Sequence, residues 1–570
     1  MGTSRFPEAM ARLEFYVQSV LDYTSRYNYS TSLYYAPTNL IGEYEKYPTY
    51  GDFPEAYCLR TYGKWWKNSE SYQPNYRPQD YDLLGAEDYV TVQFEHALIP
   101  KDICVYEIYN PGAVVRIWAK LLYQTERPWA LLWEGQPEKF PHNSRKFHPK
   151  IKQINYLTDT IRLEFNQTHL EYHYAVEAIL LGGYVPTTGL QTSVMSMGLL
   201  NLLTEPVTSK NQCIDNVSIT IEDLGTDFFS SLPNEVILHI FQYLDLKSLS
   251  RCARVNKRWN QISADALLYQ NINLKPYWYL VNCDTLRYFL ERCKTLKKLD
   301  LSWCGSDDVD GFGNLVVSLL EANFSTLTHL SLGNCKFVDT EVVVRLIFCS
   351  ELVDLRLRNL SWRDMALWFS SSWHKINKLT ALDLTSSDID DNQLILLLKA
   401  NPHLKILIID LCEKLQKLDQ VVQVLVDCNK QISTWSSWKT LSLTAEGVRR
   451  FANCPNIKEL DLGWCLINKD PGNCLHFIAE GCPQLKRLIL SEWRGLNDAL
   501  IMPVIMSCKE LTQLDLLGNK NITSDTFKKA LLLLPKLRLL DISYCDSVQQ
   551  EEVNAWRQQY PHITIQNYII

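Results

Sequence analysis

The second half of the chain repeats itself, and no other feature restricts its fold as much. Segments LKKLDLSWC, LTHLSLGNC, LVDLRLRNL, LTALDLTSS and LKILIIDLC begin at residues 296, 327, 352, 379 and 404. IKELDLGWC, LKRLILSEW, LTQLDLLGN and LRLLDISYC follow at 457, 485, 511 and 537. The steps between them are 31, 25, 27, 25, 53, 28, 26 and 26 residues, and WKTLSLTAEGVRRF (438–451) reads as a shortened copy inside the long step. In L-x-x-L-x-L the leucines of the L-x-L core point to one side of a strand and the residues between them to the other. Amphipathic segments such as VVVRLIFC and TFKKALLLL then return the chain to the next strand. One such unit cannot bury its apolar face alone. Stacked units can, and the stack curves with its parallel strands on the concave side.

This leucine-rich solenoid is expected over 273–570, about ten to eleven units with terminal caps. NINLKPYWYL forms the atypical first unit and AWRQQYPHITIQNYII the last. Cysteines follow the same period. Cys304, Cys335, Cys412, Cys465 and Cys545 follow the strands, while Cys293, Cys349, Cys428, Cys454, Cys482 and Cys508 end the helical segments. Such placement suits small buried hydrophobes. The odd total of 17 and the lack of any C-x-x-C pair speak against a disulfide framework or a zinc knuckle. With the leucines inward, the outward residues include Lys298, Asp300, Ser302, His329, Ser331, Asp354, Arg356 and Arg358. Later units add Asp383, Glu459, Asp461, Arg487, Gln513, Asp515 and Asp541. A mixed, acid-leaning face of this kind suits a protein or peptide partner, and a merely solvated sheet face is the alternative.

The first third is built of different material. Between 58 and 184 the chain runs through DYVTVQF, DICVYEIY, AVVRIWAKLLY, WALLWEG, IRLEFN and EAILLGGY, separated by turn signals such as YNPG and HNSRKFHP. Many short alternating segments with little helix indicate an all-β sandwich, whose layout resembles the discoidin or galactose-binding-like jelly roll. Residues 1–57 are expected to be a separate, partly helical segment, and 185–227 a linker. A protein-contact or self-association role suits the sandwich better than sugar binding. The trio His169, Glu171 and His173 shares one face of an expected strand, but surface alternation accounts for it as well as metal binding does, so no metal or cofactor is expected. Net charge is −7, from 57 basic and 64 acidic residues, which argues against nucleic acid as the main partner. The cluster RKFHPKIK (145–152) reads as a solvated edge. No run is long and apolar enough to span a membrane, and the first residues carry no secretory pattern.

Between these regions lies FFSSLPNEVILHIFQYLDLKSLSRCARVNKRWNQISADALLYQNI (228–272), which the spacing divides into three short helices. Pro233 fits a helix start, and Val236, Ile237, Ile240, Phe241 and Leu244 form an apolar stripe behind it. Asp245 caps a second helix carrying Leu246, Leu249 and Ala253, and Trp259 and Ile262 continue in a third. About 45 residues cannot supply a secure core alone, so part of this stripe is expected to meet another chain.

The pattern L-P-x-E-[VIL]-[IL]-x-x-[IV]-[FL]-x-x-L, a D-L-x-x-[LA] step and a late Trp resemble the F-box. Followed directly by leucine-rich repeats, it resembles the F-box/leucine-rich-repeat family. The resemblance implies a non-catalytic substrate receptor of a Skp adaptor–cullin–RING ubiquitin ligase. Leu232, Pro233, Ile237, Ile240, Phe241 and Leu244 would bind the adaptor, and Lys298, Asp300, His329, Arg356, Arg358, Asp383, Glu459, Asp461, Arg487 and Asp515 would face the substrate. RTYGKWW, YNPGAVVRI, IKQIN, LKPYW and ELDLGWC, in this order around the F-box, are similar to a mitochondrial member of that family. That likeness implies a cytosol-facing site on the mitochondrial outer membrane, with cytoplasm or nucleus as the alternative, and restraint of mitophagy through turnover of mitophagy receptors. The competing reading is a ligase-independent scaffold whose repeats act as an inhibitor-like clamp.

Overall fold

The structure is a computed structural model that describes residues 10–27, 32–60, 84–122, 124, 128–170, 173–186, 229, 232–305, 311–338, 340–360 and 375–567. Glu171 and nearly all of the expected linker lie outside these residues.

The N-terminal unit is a β-sandwich of eight strands: β1 (Met10–Tyr23), β2 (Tyr57–Cys58), β3 (Asp88–Tyr109), β4 (Val114–Lys120), β5 (Trp129–Glu134), β6 (Arg145–Phe147), β7 (Thr158–Phe165) and β8 (Ala175–Pro186). All six expected segments lie in strands, and the first two fuse into the 22-residue β3. That length lets β3 serve two sheets. Its first half pairs with β7 and β1, and its second half pairs with β8 and β6. The sandwich interior holds Val90, Val92, Ile103, Val105, Ile117, Leu132, Ile161, Leu163, Ile179 and Leu181.

One expectation is corrected by the fold and one holds. The first segment is not a separate, partly helical piece. Met10–Tyr23 forms strand β1, whose Val17 is buried, and among the described residues of this segment the helical part is one short turn, Pro37–Leu40. RKFHPKIK is the solvated edge expected: Lys146, His148, Lys150 and Lys152 are exposed and among the described residues its strand pairs with β3 alone, while Arg145 and Phe147 turn inward. Residues 145–147 pair with β3, and the Arg145 guanidinium stacks on Phe147 at 4.4 Å and pairs with Glu138 at 2.9 Å and Glu107 at 3.5 Å.

Three short helices follow: α1 (Asn234–Phe241), α2 (Leu246–Cys252) and α3 (Lys257–Ser263). Twelve parallel strands then stack in register. They are β9 (Asn271–Asn273), β10 (Lys298–Asp300), β11 (His329–Ser331), β12 (Asp354–Arg356), β13 (Ala381–Asp383), β14 (Ile406–Ile408), β15 (Thr434–Ser436), β16 (Glu459–Asp461), β17 (Arg487–Ile489), β18 (Gln513–Asp515), β19 (Leu539–Asp541) and β20 (Thr564–Gln566). The unit within the 53-residue step is complete, and its strand is β15, ahead of the expected 438–451. Trp435 stands in the leucine position, fully buried, and its indole N–H donates to Ser437 Oγ at 2.9 Å. A tryptophan in that slot hid the period.

Ten of these strands, β10 to β19, are each followed by one residue with left-handed backbone. Trp303, Asn334, Asn359, Ser386, Leu411, Lys439, Trp464, Glu492, Gly518 and Tyr544 have φ between 53° and 72°. Nine of these ten carry a side chain and so bear the strain that glycine avoids. Two repeating hydrogen bonds hold them there. The aspartates Asp300, Asp383, Asp461, Asp515 and Asp541 accept from the backbone N–H two residues on, at 2.8–3.2 Å. The residue after the left-handed one donates back to a carbonyl of the preceding unit. Cys335 bonds Leu301 O, Cys412 bonds Leu384 O, Cys465 bonds Ser437 O and Cys545 bonds Leu516 O, at 3.0–3.3 Å. Asn519, Trp493 and Thr440 do the same in their units. Burial pushes the Cys412 and Cys465 thiols up to about 12, so they serve as neutral donors.

Glu107, fully buried in the sandwich, gives a pH prediction. Burial pushes its carboxyl up to about 7 from 4.5, against the pull of Arg145 and hydrogen bonds from Gly112 N–H and Tyr174. A raised acid binds its proton better folded than unfolded, so this group stabilises the fold fully below pH 4.5 and loses that contribution as pH rises to about 7. Glu107→Gln should flatten the pH dependence over this window. Thermal melts of the two proteins should diverge in slope by a stability difference on the order of 3 kcal/mol.

Candidate functional site

The three helices are set by their caps. The Pro233 carbonyl accepts from Val236 and Ile237 N–H, and Asp245 accepts from Ser248 N–H at 2.6 Å to start α2. Asn256 accepts from Trp259 N–H at 2.8 Å to start α3. Arg258 on α3 reaches back to Asn234 Oδ1 at 2.8 Å and to the Leu232 carbonyl, which closes the bundle.

Helix α1 carries two apolar stripes rather than one. Ile237 and Phe241 point inward, 0% and 2% exposed, and Phe241 meets Trp259 edge-on at 5.3 Å. They join Leu249, Ile262, Leu268 and Tyr269 in one core with the first repeat. Val236, Ile240 and Tyr243, also at i, i+4 and i+7, form the outer stripe at 41%, 37% and 68% exposure. Of the six residues expected to dock an adaptor, Pro233 and Ile240 are exposed, and Leu232 and Leu244 are half-buried. Ile237 and Phe241 are corrected to internal core. Tyr243, just past the end of α1, extends the exposed surface.

The expected substrate face needs a larger correction, because the sandwich sits on it. Arg162 of β7 is fully buried between the rings of Tyr89 and Trp278, its guanidinium carbon 3.3 Å and 3.6 Å from their centroids. Trp278 donates to Glu164 Oε1 at 2.5 Å. Arg60 forms a buried ion pair with Asp410 and lies 3.6 Å from Asp461. The left-handed residues supply much of the seat. Trp303 packs edge-on against Tyr89 at 4.9 Å, Asn359 donates to the Tyr23 carbonyl, and Tyr544 donates to Asp52 at 2.5 Å. The Lys439 ammonium bonds the Tyr27 carbonyl inside a cage of Tyr27, Trp438 and Trp464, with ring centroids at 4.3, 4.4 and 4.1 Å. Burial pulls the Lys439 amine well below its ordinary value.

Asp300, Arg356, Asp383, Glu459, Asp461 and Arg487 are therefore buried. The aspartates among them cap turns, Arg356 pairs with Asp354 at 3.0 Å, and Arg487 pairs with Asp461 at 3.4 Å. Asp515 is pushed up to about 6 by burial, against the turn N–H of Leu517 and the hydroxyl of Ser491. Lys298, His329 and Arg358 keep partial exposure, and Arg358 pairs with Asp383 at 3.2 Å. One open region among the described residues is a cleft of about 940 Å³ between the 46–55 loop and the last repeats. Tyr27, Tyr35, Tyr50, Phe53, Trp464 and Tyr544 give it an aromatic lining, with Lys46, Lys520 and Arg557 also along it. No sequence period announced it, because its two walls lie more than 400 residues apart.

The chain matches the F-box-like family over residues 229–275 and the Leucine Rich repeat family over residues 292–305. It is 30% identical over 532 residues to F-box/LRR-repeat protein 4 of Bos taurus, covering 90% of this chain and 84% of that protein. Among solved structures, a chain of the yeast Rad7 and Elc1 complex is 16% identical, covering 60% of this chain and 89% of that one, with a TM-score of 0.42. An internalin from Listeria monocytogenes is 13% identical, covering 53% and 85%, with a TM-score of 0.34.

Removing Arg60 tests whether the sandwich is held by its buried charges. Arg60→Ala leaves Asp410 and Asp461 buried without it, and should cost about 3–5 kcal/mol in chemical denaturation. Limited proteolysis should cut the variant between sandwich and solenoid faster than the parent.

Proposed function

The chain belongs to the F-box/LRR-repeat family, and on that premise we propose that it is the substrate receptor of a Skp adaptor–cullin–RING ubiquitin ligase. The observation that carries this reading is the outer stripe of α1. Pro233, Val236, Ile240 and Tyr243 leave an apolar surface on a bundle whose inner stripe is already used. An amphipathic helix with a second apolar face is suited to lie in a partner's groove. The three helices would be the machinery contact, and no nucleophile or base is needed, since a receptor accelerates transfer by raising effective concentration.

The substrate contact moves from the strand face to the surfaces left open, chiefly the aromatic cleft at the end of the solenoid. Its volume falls within the range of about 300–1,000 Å³ typical of ligand sites. A short protein segment with an apolar anchor suits it. The sandwich, read as galactose-binding-like, acts as the cleft's second wall rather than as a sugar receptor. By likeness to the mitochondrial member of the family, the substrates would be mitophagy receptors on the outer membrane, and their turnover would restrain mitophagy.

Val236→Glu with Ile240→Glu should abolish co-purification of the adaptor and cullin while leaving the melting temperature within about 2 °C, as surface changes usually do. Ile237→Ala should instead lower stability by about 2–4 kcal/mol through the cavity it leaves. Adaptor binding retained by the double variant would overturn the proposal in favour of a ligase-independent scaffold.

A further inference from the structure

A group of three dissimilar donors lies at the seam between sandwich and solenoid. Asp52, Cys58 and His173 place a carboxylate oxygen, a sulfur and an imidazole nitrogen within 4.8 Å of one another. Topology brings them together. Cys58 of β2 is paired with Ala175 of β8, so it lies beside His173, two residues before that strand position. Asp52 comes from the preceding loop, anchored by Gly51 N–H on the Ile108 carbonyl at 3.1 Å.

The surroundings are those of a built site. Cys58 and His173 are fully buried, and the Asp52 side chain is only 2% exposed. Asp52 Oδ2 receives Tyr544 Oη at 2.5 Å and lies 3.1 Å from His173 Nε2, and the Tyr35 hydroxyl also bonds this carboxylate, so three groups orient it in the seam. Tyr27 and Tyr109 flank the imidazole, with ring centroids at 5.0 and 4.9 Å. Asp52, Tyr35 and Tyr544 all line the aromatic cleft, which provides an entry path.

We propose that Asp52, Cys58 and His173 bind one zinc ion, with its fourth position open toward the cleft. Thiolate, imidazole and carboxylate are the ligand types zinc takes together, and three protein ligands with one open position is a common zinc arrangement. Donors in a tetrahedral zinc site stand about 3.5 Å apart, so the ion would draw this group in by about 1 Å. Binding releases the Cys58 proton to solvent, and the thiolate and the Asp52 carboxylate together neutralise the ion. Tyr544 would then support the site from outside, through its hydrogen bond to Asp52. The ion would fix β2 and the 46–55 loop, which form one wall of the cleft.

The full-length chain, stripped with a chelator and titrated with zinc against a chromophoric competitor, should take up one ion per chain. Cobalt in its place should give a thiolate-to-cobalt charge-transfer absorption. Cys58→Ser should abolish that absorption and weaken zinc binding by more than the roughly 10–100-fold that loss of an outer-shell partner costs. Circular dichroism of the metal-free proteins should show the variant folded like the parent. Should the variant fail to fold, Asp52→Asn replaces it, with the same loss of zinc affinity expected. Three results would each overturn the proposal: no stoichiometric uptake by the folded parent, cobalt bound without the thiolate band, or full affinity in a folded variant.

Discussion

The left-handed turn that follows ten of the twelve solenoid strands is the constraint on which the rest of this molecule depends. A parallel strand only three residues long has little ladder of its own, so each unit must be held by the turn at its end. The chain reverses through one residue at positive φ, a conformation that costs a side-chain-bearing residue about 1 kcal/mol or more. Ten such turns in a row survive because side-chain hydrogen bonds brace most of them. In most units an aspartate holds the N–H before the turn, and in most a cysteine, asparagine, threonine or tryptophan ties the residue after it to the preceding unit. The spacing of these turns fixes the row of side chains that leaves the solenoid, and on that row the sandwich rests.

Seating the sandwich there has electrostatic consequences. Arg60, Arg162, Lys439, Asp410 and Asp461 are all buried. Isolated, each would be expelled by its loss of hydration. They are tolerated because each cation meets either a carboxylate or the negative faces of aromatic rings, and Arg162 and Lys439 have both Tyr and Trp around them. A buried pair of this kind adds little net stability over an apolar contact, but it penalises every misaligned docking, because a shift by one repeat would strand the charges. The seam is thus selective for register along a solenoid whose units otherwise look alike.

Much of this was legible in the residues, and the part that was not has a physical cause. Leucine spacing specified the solenoid, Pro233 and Asp245 marked helix starts, and the alternating segments of the first third all became strands. The acidic column misled. Asp300, Asp383, Asp461, Asp515 and Asp541 share the outward face by strand alternation, yet their carboxylates turn back onto their own backbone, a local competition that periodicity does not register. Trp435 concealed a unit because a leucine pattern cannot anticipate a larger side chain in the same slot. Helix α1 concealed its division into two stripes, since Val236, Ile237, Ile240 and Phe241 are equally apolar and only the packing of Trp259 shows which pair is inside. The docking itself joins residues hundreds of positions apart, and no local pattern encodes it.

Rigidity follows from how the helical bundle is joined to the repeats. Ile237, Phe241, Leu249 and Ile262 are not a separate core. They continue through Leu268 and Tyr269 into Ile272 and Leu274 of the first unit, and the Tyr269 hydroxyl donates to the Ser263 carbonyl at 2.7 Å. A flexible tether between the two would hold a bound target near the transfer machinery only as a broad distribution of positions. A continuous core instead fixes the solenoid's axis relative to the outer face of α1, and the sandwich, clamped along that axis, fixes the far cleft in turn. Targets held at the cleft would then be presented at one distance and angle from whatever grips α1. Lysines outside that reach would be spared however tightly the target is bound, so geometry as well as affinity would select the site of modification.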